Sequence, residues 1–241
     1  MLGLVTNSSS LGPIRPRSRA SRKAGEPQFT ASGSEANNLA IRGTVLAHDR
    51  TAPARIITQA SEHPAVLETC RALQRLHGVQ VRYLPVDRDG GVDPAALAKT
   101  LTPDTALVSI MAADNETGVL QPIAELAAIA HARGVLFHTD AAQAAGKIPI
   151  DVRAWGVDLL TIAGHKMYAS KGIGALYVRS GVRLEPLVYG GGQERGLRAG
   201  TEAVALAVAL GAAARLARTE LDAGGVDRIR IFAGPVAPPT R

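Results

Sequence analysis

TIAGHKMYASKG, residues 161–172, places His165 directly beside Lys166 at the end of a short apolar run. The run, VDLLTIAG at residues 157–164, predicts a buried strand, so the pair lies where that strand ends. A lysine is seldom buried unless its amine has a partner or a chemical role. The elements around Lys166 therefore decide whether it is a solvated lysine or a reactive one.

Strand and helix patterns alternate on both sides of this stretch. The predicted strands are ARIITQAS (54–61), VQVRYLPV (79–86), TALVSIMAAD (105–114), GVLFHTDAAQ (134–143), VDLLTIAGH (157–165) and GALYVRS (174–180). The predicted helices are SEANNLAIRGTVLAHD (34–49, with Ser34 as its N-cap), PAVLETCRALQRL (64–76), DPAALAKTL (93–101), PIAELAAIAHARG (122–134) and TEAVALAVALGAAARLARTEL (201–221). This alternation predicts an α/β fold, with a mostly parallel sheet and helices on both faces.

Composition bounds the class of protein. The chain has 241 residues, of which 46% are hydrophobic and 20% charged, as in a globular domain, and no apolar run is long enough to span a membrane. The single cysteine, Cys70, provides no disulfide framework, which fits a reducing compartment and predicts a cytoplasmic protein.

Much of the net charge of +6 comes from RPRSRASRK, residues 15–23. With only 3% aromatic residues and no recognition motif, we interpret this segment as a solvated arm and do not expect nucleic acid binding. A mitochondrial transit peptide is the alternative, since the first 25 residues contain no acid and are rich in Arg and Ser.

Polar residues follow the predicted strands. In mostly parallel sheets a ligand binds beyond the carboxyl ends of the strands. The residues there are Glu62-His63, Asn115, Asp140 with Gln143, and His165-Lys166, while Ser32-Gly33-Ser34 opens the first helix and a glycine-rich loop, GGGQERGLRAGT, occupies 190–201. These residues predict one polar site at that edge of the sheet.

Three of these positions have a chemical and a purely structural interpretation. Ser32-Gly33-Ser34 offers backbone N–H groups, hydroxyls and the positive end of a helix, which suit a phosphate, although capping alone would also explain it. Asp140 could hold a ring nitrogen protonated through a charge-assisted hydrogen bond, or it could be a turn aspartate. His63 could stack on a flat ring and shuttle protons, or it could be a structural histidine.

The remaining positions complete the pattern. Asn115 and Gln143 could bond a ring substituent, although either could belong to a turn or an amide network. Lys166 could form a Schiff base, although most lysines are solvated. One cofactor, pyridoxal phosphate, needs a lysine, an acid at its pyridine nitrogen, a ring-stacking group and a phosphate cup. The joint pattern therefore predicts a pyridoxal phosphate site without a metal.

A series of longer motifs resembles one family. They are FTASGSEANNLAIRG, SEHPAVLETCRAL, ALVSIMAADNETGVLQPI, HTDAAQAAGKIPIDV, DLLTIAGHKMYASKGIGALYV and GGGQERGLRAGTE. Their order and spacing, from about Phe29 to about Leu221, resemble the cysteine desulfurases of the NifS/IscS type, which belong to the class V aminotransferase group of fold-type I pyridoxal phosphate enzymes. The resemblance implies the large domain of that fold and L-cysteine as substrate.

The resemblance also implies roles for individual residues. Lys166 matches the Schiff-base lysine, Asp140 the partner of the pyridine nitrogen, and His63 the ring-stacking, proton-handling histidine. Gln143 matches an amide near the phenolic oxygen, Asn115 an asparagine near substrate and cofactor, Ser34 and His165 phosphate contacts, and Thr201 a threonine that reaches the phosphate of a partner subunit. The last match implies a homodimer.

The chain departs from the family pattern at its ends and at two internal positions. We expect an irregular basic segment at 1–28, the cofactor-binding large domain at 29–221, and a remnant or tail at 222–241, with the small C-terminal domain largely absent. The family's catalytic cysteine and its substrate-binding arginine lie beyond the last residue. Ala163 replaces a serine that bonds the phosphate, and Asp114 stands where asparagine is commoner.

The predicted function follows from the resemblance. We expect a cysteine desulfurase-like enzyme that converts L-cysteine to L-alanine and passes sulfur on as a persulfide to an acceptor or Fe–S scaffold protein, with the catalytic thiol supplied from elsewhere. Cys70 does not replace that thiol, because LETCRAL predicts a buried helical face. Two alternatives remain: another pyridoxal phosphate-dependent aminotransferase or lyase, and a non-catalytic dimerising scaffold.

Overall fold

A seven-stranded sheet forms the centre of the fold. The computed structural model describes residues 25–48 and 54–223, so the predicted basic arm and the tail beyond residue 223 lie outside the described residues. The strands are β1 (Glu26–Thr30), β2 (Arg55–Gln59), β3 (Gln80–Leu84), β4 (Thr105–Ser109), β5 (Leu136–Asp140), β6 (Leu159–Ala163) and β7 (Gly174–Val178), in the spatial order β1-β7-β6-β5-β4-β2-β3.

The sheet is mostly parallel, as the alternating pattern predicted. The pairs β2–β3, β2–β4, β4–β5 and β5–β6 are parallel, while β6–β7 and β1–β7 are antiparallel. The chain between β6 and β7, residues 164–173, is too short for the helical crossover that a parallel pair needs. This direct return places the segment with Lys166 at the same edge of the sheet as the carboxyl ends of β4, β5 and β6.

Helices cover both faces of the sheet. They are α1 (Gly33–Leu46), α2 (Pro64–His77), α3 (Pro94–Thr100), α4 (Ile123–Ala132) and α5 (Val204–Asp222). One apolar core joins α1 and α2 to the sheet, and a second joins α3 and α4 to the opposite face. On this second face, a smaller cluster packs α5 against the turn after β6. Because both faces are covered, β4 is buried along its whole length.

The structure corrects the predicted start of two helices. Ser32, rather than Ser34, is the N-cap of α1, because its side chain accepts a hydrogen bond from the Glu35 N–H at 3.1 Å. The long last helix begins at Val204, three residues after the predicted start at Thr201.

The pattern also missed a strand. β1 begins at Glu26, inside the segment expected to be irregular through residue 28. Pro27 interrupts its local strand signal, but β1 lies at the edge of the sheet, where a missing N–H is tolerated. Within residues 25–48 and 54–223, no helix is long and apolar enough to cross a membrane.

Candidate active site

A cavity of about 380 Å³ opens at the carboxyl ends of the central strands, within the size range of small-molecule sites. Nine of the ten predicted site residues line it: Ser32, Gly33, Ser34, His63, Asn115, Asp140, Gln143, His165 and Lys166. Asn37, Ala65, Met111, Ala113, Ala142 and Ala163 complete its wall. Thr201 is exposed and does not line this cavity. The topology thus brings residues separated by more than a hundred positions into one site.

Asp140 ends β5 and forms the buried acidic centre of the cavity. Its Oδ1 accepts a hydrogen bond from the Ala142 N–H at 2.9 Å, and its Oδ2 accepts one from Asn37 Nδ2 at 2.6 Å. Burial raises the pKa of Asp140, although these two hydrogen bonds and the nearby His63 oppose the rise. The carboxylate is therefore held in place but lacks sufficient compensation for its charge, so a cationic group in the cavity would stabilise it.

Asn37 is a site residue that sequence reasoning missed. It is 2% exposed in α1, and its Oδ1 is a buried atom without a hydrogen-bond partner among the described residues. A signal was available, since Asn37 lies on a helix face with Ala36, Ala40 and Ile41, which are apolar and buried. An asparagine on such a face implies a buried polar partner, which is Asp140.

The imidazole of His63 has a defined tautomer. His63 is the N-cap of α2, and its Nδ1 accepts a hydrogen bond from the Ala65 N–H at 3.0 Å. In the neutral ring the proton must then be on Nε2. Since His63 is exposed and lines the cavity, its ring can contact a ligand while Nε2 carries the exchangeable proton.

The N-terminus of α1 lies at one end of the cavity, where its polarity suits an anion. The N–H groups of a first helical turn lack intrahelical partners, and the helix dipole makes this end positive. Gly33 allows β6 to approach closely, because a Cβ at this position would lie 3.0 Å from the Cβ of Ala163. Ala163 contributes a methyl group where a serine would contribute a hydroxyl.

Lys166 lies on a 3₁₀ turn, Gly164–Met167, directly after β6. The turn ends at Tyr168, which has a left-handed φ of 61°. Both Lys166 and the adjacent His165 line the cavity. The short turn holds the lysine at the mouth of the strand ends rather than on a flexible loop.

Asp114 does not present a free carboxylate to the cavity. Its Oδ1 accepts hydrogen bonds from the N–H groups of Glu116 at 2.8 Å and Thr117 at 2.9 Å. Although burial opposes ionisation, these hydrogen bonds lower the pKa of Asp114. The carboxylate therefore shapes the turn that places the neighbouring Asn115 at the cavity wall.

Glu62 is a second buried acid beside the site. It is 3% exposed, its Oε1 accepts a hydrogen bond from the Met111 N–H at 2.6 Å, and its Oε2 is buried without a partner among the described residues. Burial, followed by the charge of Asp140, raises the pKa of Glu62 well above its usual value. Glu62 thus links the ends of β2 and β4 under the cavity, and protonation relieves its repulsion of Asp140.

The glycine-rich loop is hydrogen-bonded to the first turn of α1 and to β1. Arg198 Nε donates to Glu35 Oε1 at 2.9 Å, and Glu194 Oε2 accepts a hydrogen bond from the Phe29 N–H at 2.9 Å. These contacts hold the loop that carries Thr201 across the start of α1. Cys70, by contrast, is fully buried in the core beneath α2 and does not line the cavity.

The residues present fit pyridoxal phosphate. Its pyridinium nitrogen would supply the positive charge that buried Asp140 lacks, and the N-terminus of α1 would receive the phosphate. Lys166 offers the amine for its aldehyde, and His63 offers a ring face. Each need of the cofactor is met by a residue that lines one cavity.

The chain is similar in sequence to known proteins of one family. The family described as Aminotransferase class-V, whose enzymes depend on pyridoxal phosphate, matches residues 23–229. A protein named "Cysteine desulfurase IscS" from Dictyoglomus turgidum is 50% identical over 200 residues, which cover 83% of this chain and 50% of that protein. The chain spans about half the length of the curated relatives it matches.

Solved structures show the same fold. One titled "NIFS-LIKE PROTEIN" superposes with a TM-score of 0.78 at 41% identity, covering 82% of this chain and 54% of the other. Another, "SspA in complex with cysteine", superposes with a TM-score of 0.75 at 41% identity, covering 78% and 55% of the two chains. These matches confirm a fold-type I architecture. The chain belongs to the aminotransferase class-V family.

Proposed function

We propose that this chain is the cofactor-binding part of a cysteine desulfurase-like enzyme, which converts L-cysteine to L-alanine and passes the sulfur on as a persulfide. The observation that carries the proposal is the single cavity that Lys166, Asp140 and His63 line together. The 50% identical relative is named a cysteine desulfurase, and one similar solved structure is described as a complex with cysteine. Both names support L-cysteine as the substrate.

Each proposed catalytic residue has a task that its position permits. Bound pyridoxal phosphate supplies an aldehyde that joins to amines and a ring that withdraws electrons from the neighbouring carbon. Lys166 Nζ would hold the cofactor through its aldehyde and, as a free amine, would take a proton from the substrate Cα. Asp140 would stabilise the protonated ring nitrogen. His63 would offer a ring face and a transferable proton at Nε2, because its Nδ1 accepts from the Ala65 N–H.

The other cavity residues orient the ligand. The phosphate would be held by Ser32, Gly33, Ser34 and His165, with the α1 dipole adding to the attraction. Asn115 and Gln143 line the same cavity, and their amides would bond the substrate and a ring substituent. We further propose that Thr201 serves the phosphate of a partner subunit, since it is exposed outside its own cavity on a loop held by Glu35 and Arg198.

Sulfur transfer needs a thiol that the cavity does not contain. L-Cysteine and a thiol give L-alanine and a persulfide, so the C–S bond breaks as the S–S bond forms and the released carbon gains a proton. Cys70 cannot act as this thiol, because it is fully buried, and burial raises its pKa to about 12. A thiol from another chain or from outside these residues must therefore accept the sulfur.

A second candidate reaction follows from the lack of that thiol. A lyase that eliminates sulfide from L-cysteine, with pyruvate and ammonia as the further products, uses the same lysine and ring but no protein thiol. Product analysis separates the two reactions, because transfer yields alanine and a persulfide while elimination yields pyruvate and sulfide.

The proposal has a structural and cellular setting. Residues 29–221 would form the large domain of a homodimer, and α5 presents Val204, Val208 and Leu216 to solvent as apolar surface available for a partner. The persulfide would pass to an acceptor or Fe–S scaffold protein in the cytoplasm. The name IscS of one relative supports Fe–S cluster assembly as its use.

The first test is cofactor binding by the full chain. Pyridoxal phosphate is added to the purified protein, visible absorbance is recorded, and the adduct is reduced with borohydride and located by peptide mass. Label on Lys166, lost in Lys166→Ala but retained in Lys171→Ala, is the expected result. Lys171 is an exposed lysine five positions further on that does not line the cavity.

The second test follows the products from L-cysteine with dithiothreitol added as a sulfur-accepting thiol. Alanine that depends on Lys166 supports the desulfurase proposal, whereas pyruvate favours the lyase. Sulfide does not separate the two reactions, because excess dithiothreitol also releases it from a persulfide. If a folded sample shows no Lys166-dependent binding, the enzyme proposal fails and a non-catalytic scaffold becomes the better description.

A further inference from the structure

A second lysine, Lys147, lies outside the cavity and contacts Gln143, a residue of its wall. After β5 the chain makes a turn in which Ala145 N donates to Ala141 O at 2.8 Å and Lys147 N donates to Ala144 O at 3.0 Å. The turn brings Lys147 back over Gln143, four residues earlier, and Lys147 Nζ donates to Gln143 Oε1 at 2.8 Å. Gln143 lines the cavity but Lys147 does not, so Lys147 would act on a ligand through Gln143.

Close packing holds Lys147 beside the turn that carries Lys166. Gly146 has a left-handed φ of 76°, and a Cβ at this position would lie 3.1 Å from Met167 Cγ and 3.2 Å from Ala217 Cβ. The preceding residue is thus pressed between the lysine-bearing turn and α5. Burial, and then the like charge of Lys166, lower the pKa of Lys147. A half-buried amine kept near another cation is costly unless it makes a useful contact.

The contact determines which way the Gln143 amide points. A lysine ammonium has only donors, so the amide oxygen of Gln143 must face Lys147. The amide N–H groups are then left to donate toward the cavity. Without Lys147 the amide could rotate by about 180° and present its oxygen instead.

We infer that Lys147 is a positioning residue, which fixes the Gln143 amide as a hydrogen-bond donor and so selects a ligand with an acceptor oxygen at that point of the cavity. This inference rests on the proposed function, because it assigns that oxygen to bound pyridoxal phosphate. A merely structural Lys147 would stabilise the turn without affecting how tightly the ligand binds through Gln143.

The test compares pyridoxal phosphate affinity in the full chain and its variants by titration of visible absorbance. Lys147→Met is expected to bind about tenfold more weakly, as loss of an oriented hydrogen bond to a charged or strongly polar group implies. It should also shift the visible absorption maximum of the bound cofactor. Lys147→Arg, which also carries only donors, should retain the affinity and the absorption maximum of the unsubstituted chain. Lys99→Met, on the exposed side of α3, should change neither.

Variants at Gln143 separate positioning from folding. In a Gln143→Ala background, Lys147→Met should change affinity less than about twofold, because residues that act through one contact are not additive. Gln143→Glu keeps an acceptor for Lys147 but replaces the amide donor that faces the cavity by an acceptor, so it should weaken pyridoxal phosphate binding. This variant can be measured even if the Lys147→Met protein does not fold.

Three results would overturn the inference. They are unchanged affinity and spectrum in a folded Lys147→Met protein, equal effects of that change with and without Gln143, and full affinity in Gln143→Glu. If the unsubstituted chain does not bind pyridoxal phosphate at all, the proposed function fails first, and the inference fails with it.

Discussion

Replacing Asp140 by asparagine should affect the stability of the cofactor-free protein and its affinity for the cofactor in opposite directions. The substitution preserves shape. The new amide oxygen can still accept from the Ala142 N–H at 2.9 Å. Rotation of Asn37 would turn its buried Oδ1, which has no hydrogen-bond partner among the described residues, toward the new N–H₂ and so replace the 2.6 Å contact. Both hydrogen bonds therefore survive, and the main change is the loss of a buried negative charge.

The sign of the stability change follows from the pKa of Asp140. Burial raises this pKa, so folding favours the protonated acid. The carboxylate costs nothing below its unfolded pKa, costs more as the pH rises from there, and reaches its full cost above the folded pKa. Each pKa unit of that rise corresponds to about 1.4 kcal/mol. Asp140→Asn should thus raise the free energy of unfolding at pH 8 and have little effect near pH 4.

Cofactor binding should change in the other direction. The variant loses a charge-assisted hydrogen bond to the ring nitrogen, a contact of about 1.5–3 kcal/mol, which is roughly a 10- to 100-fold loss of affinity. Urea unfolding of the cofactor-free protein at several pH values measures the first effect, and titration with pyridoxal phosphate measures the second. A variant that is clearly less stable at pH 8, or that binds the cofactor as tightly as the unsubstituted chain, would refute this reasoning.

Three further predictions concern buried groups around the site and core. Glu62→Gln keeps the acceptor for the Met111 N–H but removes a carboxyl group whose pKa is raised by burial. The variant should therefore become more stable than the unsubstituted chain as the pH rises from 4 to 8. Urea unfolding that shows no such pH trend would contradict this. Cys70 is buried with a raised pKa, so it should react with a thiol reagent at pH 8 only after unfolding. Cys70→Ala should lower the free energy of unfolding by about 1 kcal/mol without changing cofactor affinity. Rapid labelling of the native protein would show instead that the thiol is accessible. Asp158→Ala removes the buried carboxylate that bonds His131 and the Phe137 N–H on β5. It should lower the free energy of unfolding by about 3 kcal/mol, measured by thermal or urea unfolding. A loss under 1 kcal/mol would mean that water replaces these contacts.

The fold class and most of the cavity wall could be predicted from the sequence. The alternation of strands and helices was sufficient to predict the fold class. The helices pack an apolar face on the sheet and the central strands are buried on both sides, so their hydrophobic periods and lengths differ clearly in the sequence. Nine predicted site residues line the cavity because parallel strands deliver their carboxyl ends to one edge. The local pattern therefore predicted which residues meet at this edge of the sheet.

Contacts between distant residues could be decided only by the tertiary structure. β1 exists because Glu26–Thr30 pairs with β7, about 150 positions away, and no local signal overcomes its proline. Asn37 lines the cavity because α1 crosses β5 and meets Asp140 there. Lys147 contacts the cavity residue Gln143 from a turn that packs closely at Gly146. Hydrogen bonding and burial depend on which groups meet in three dimensions, so side-chain identity can indicate a site residue, but the partner that orients it and shifts its pKa is set by packing.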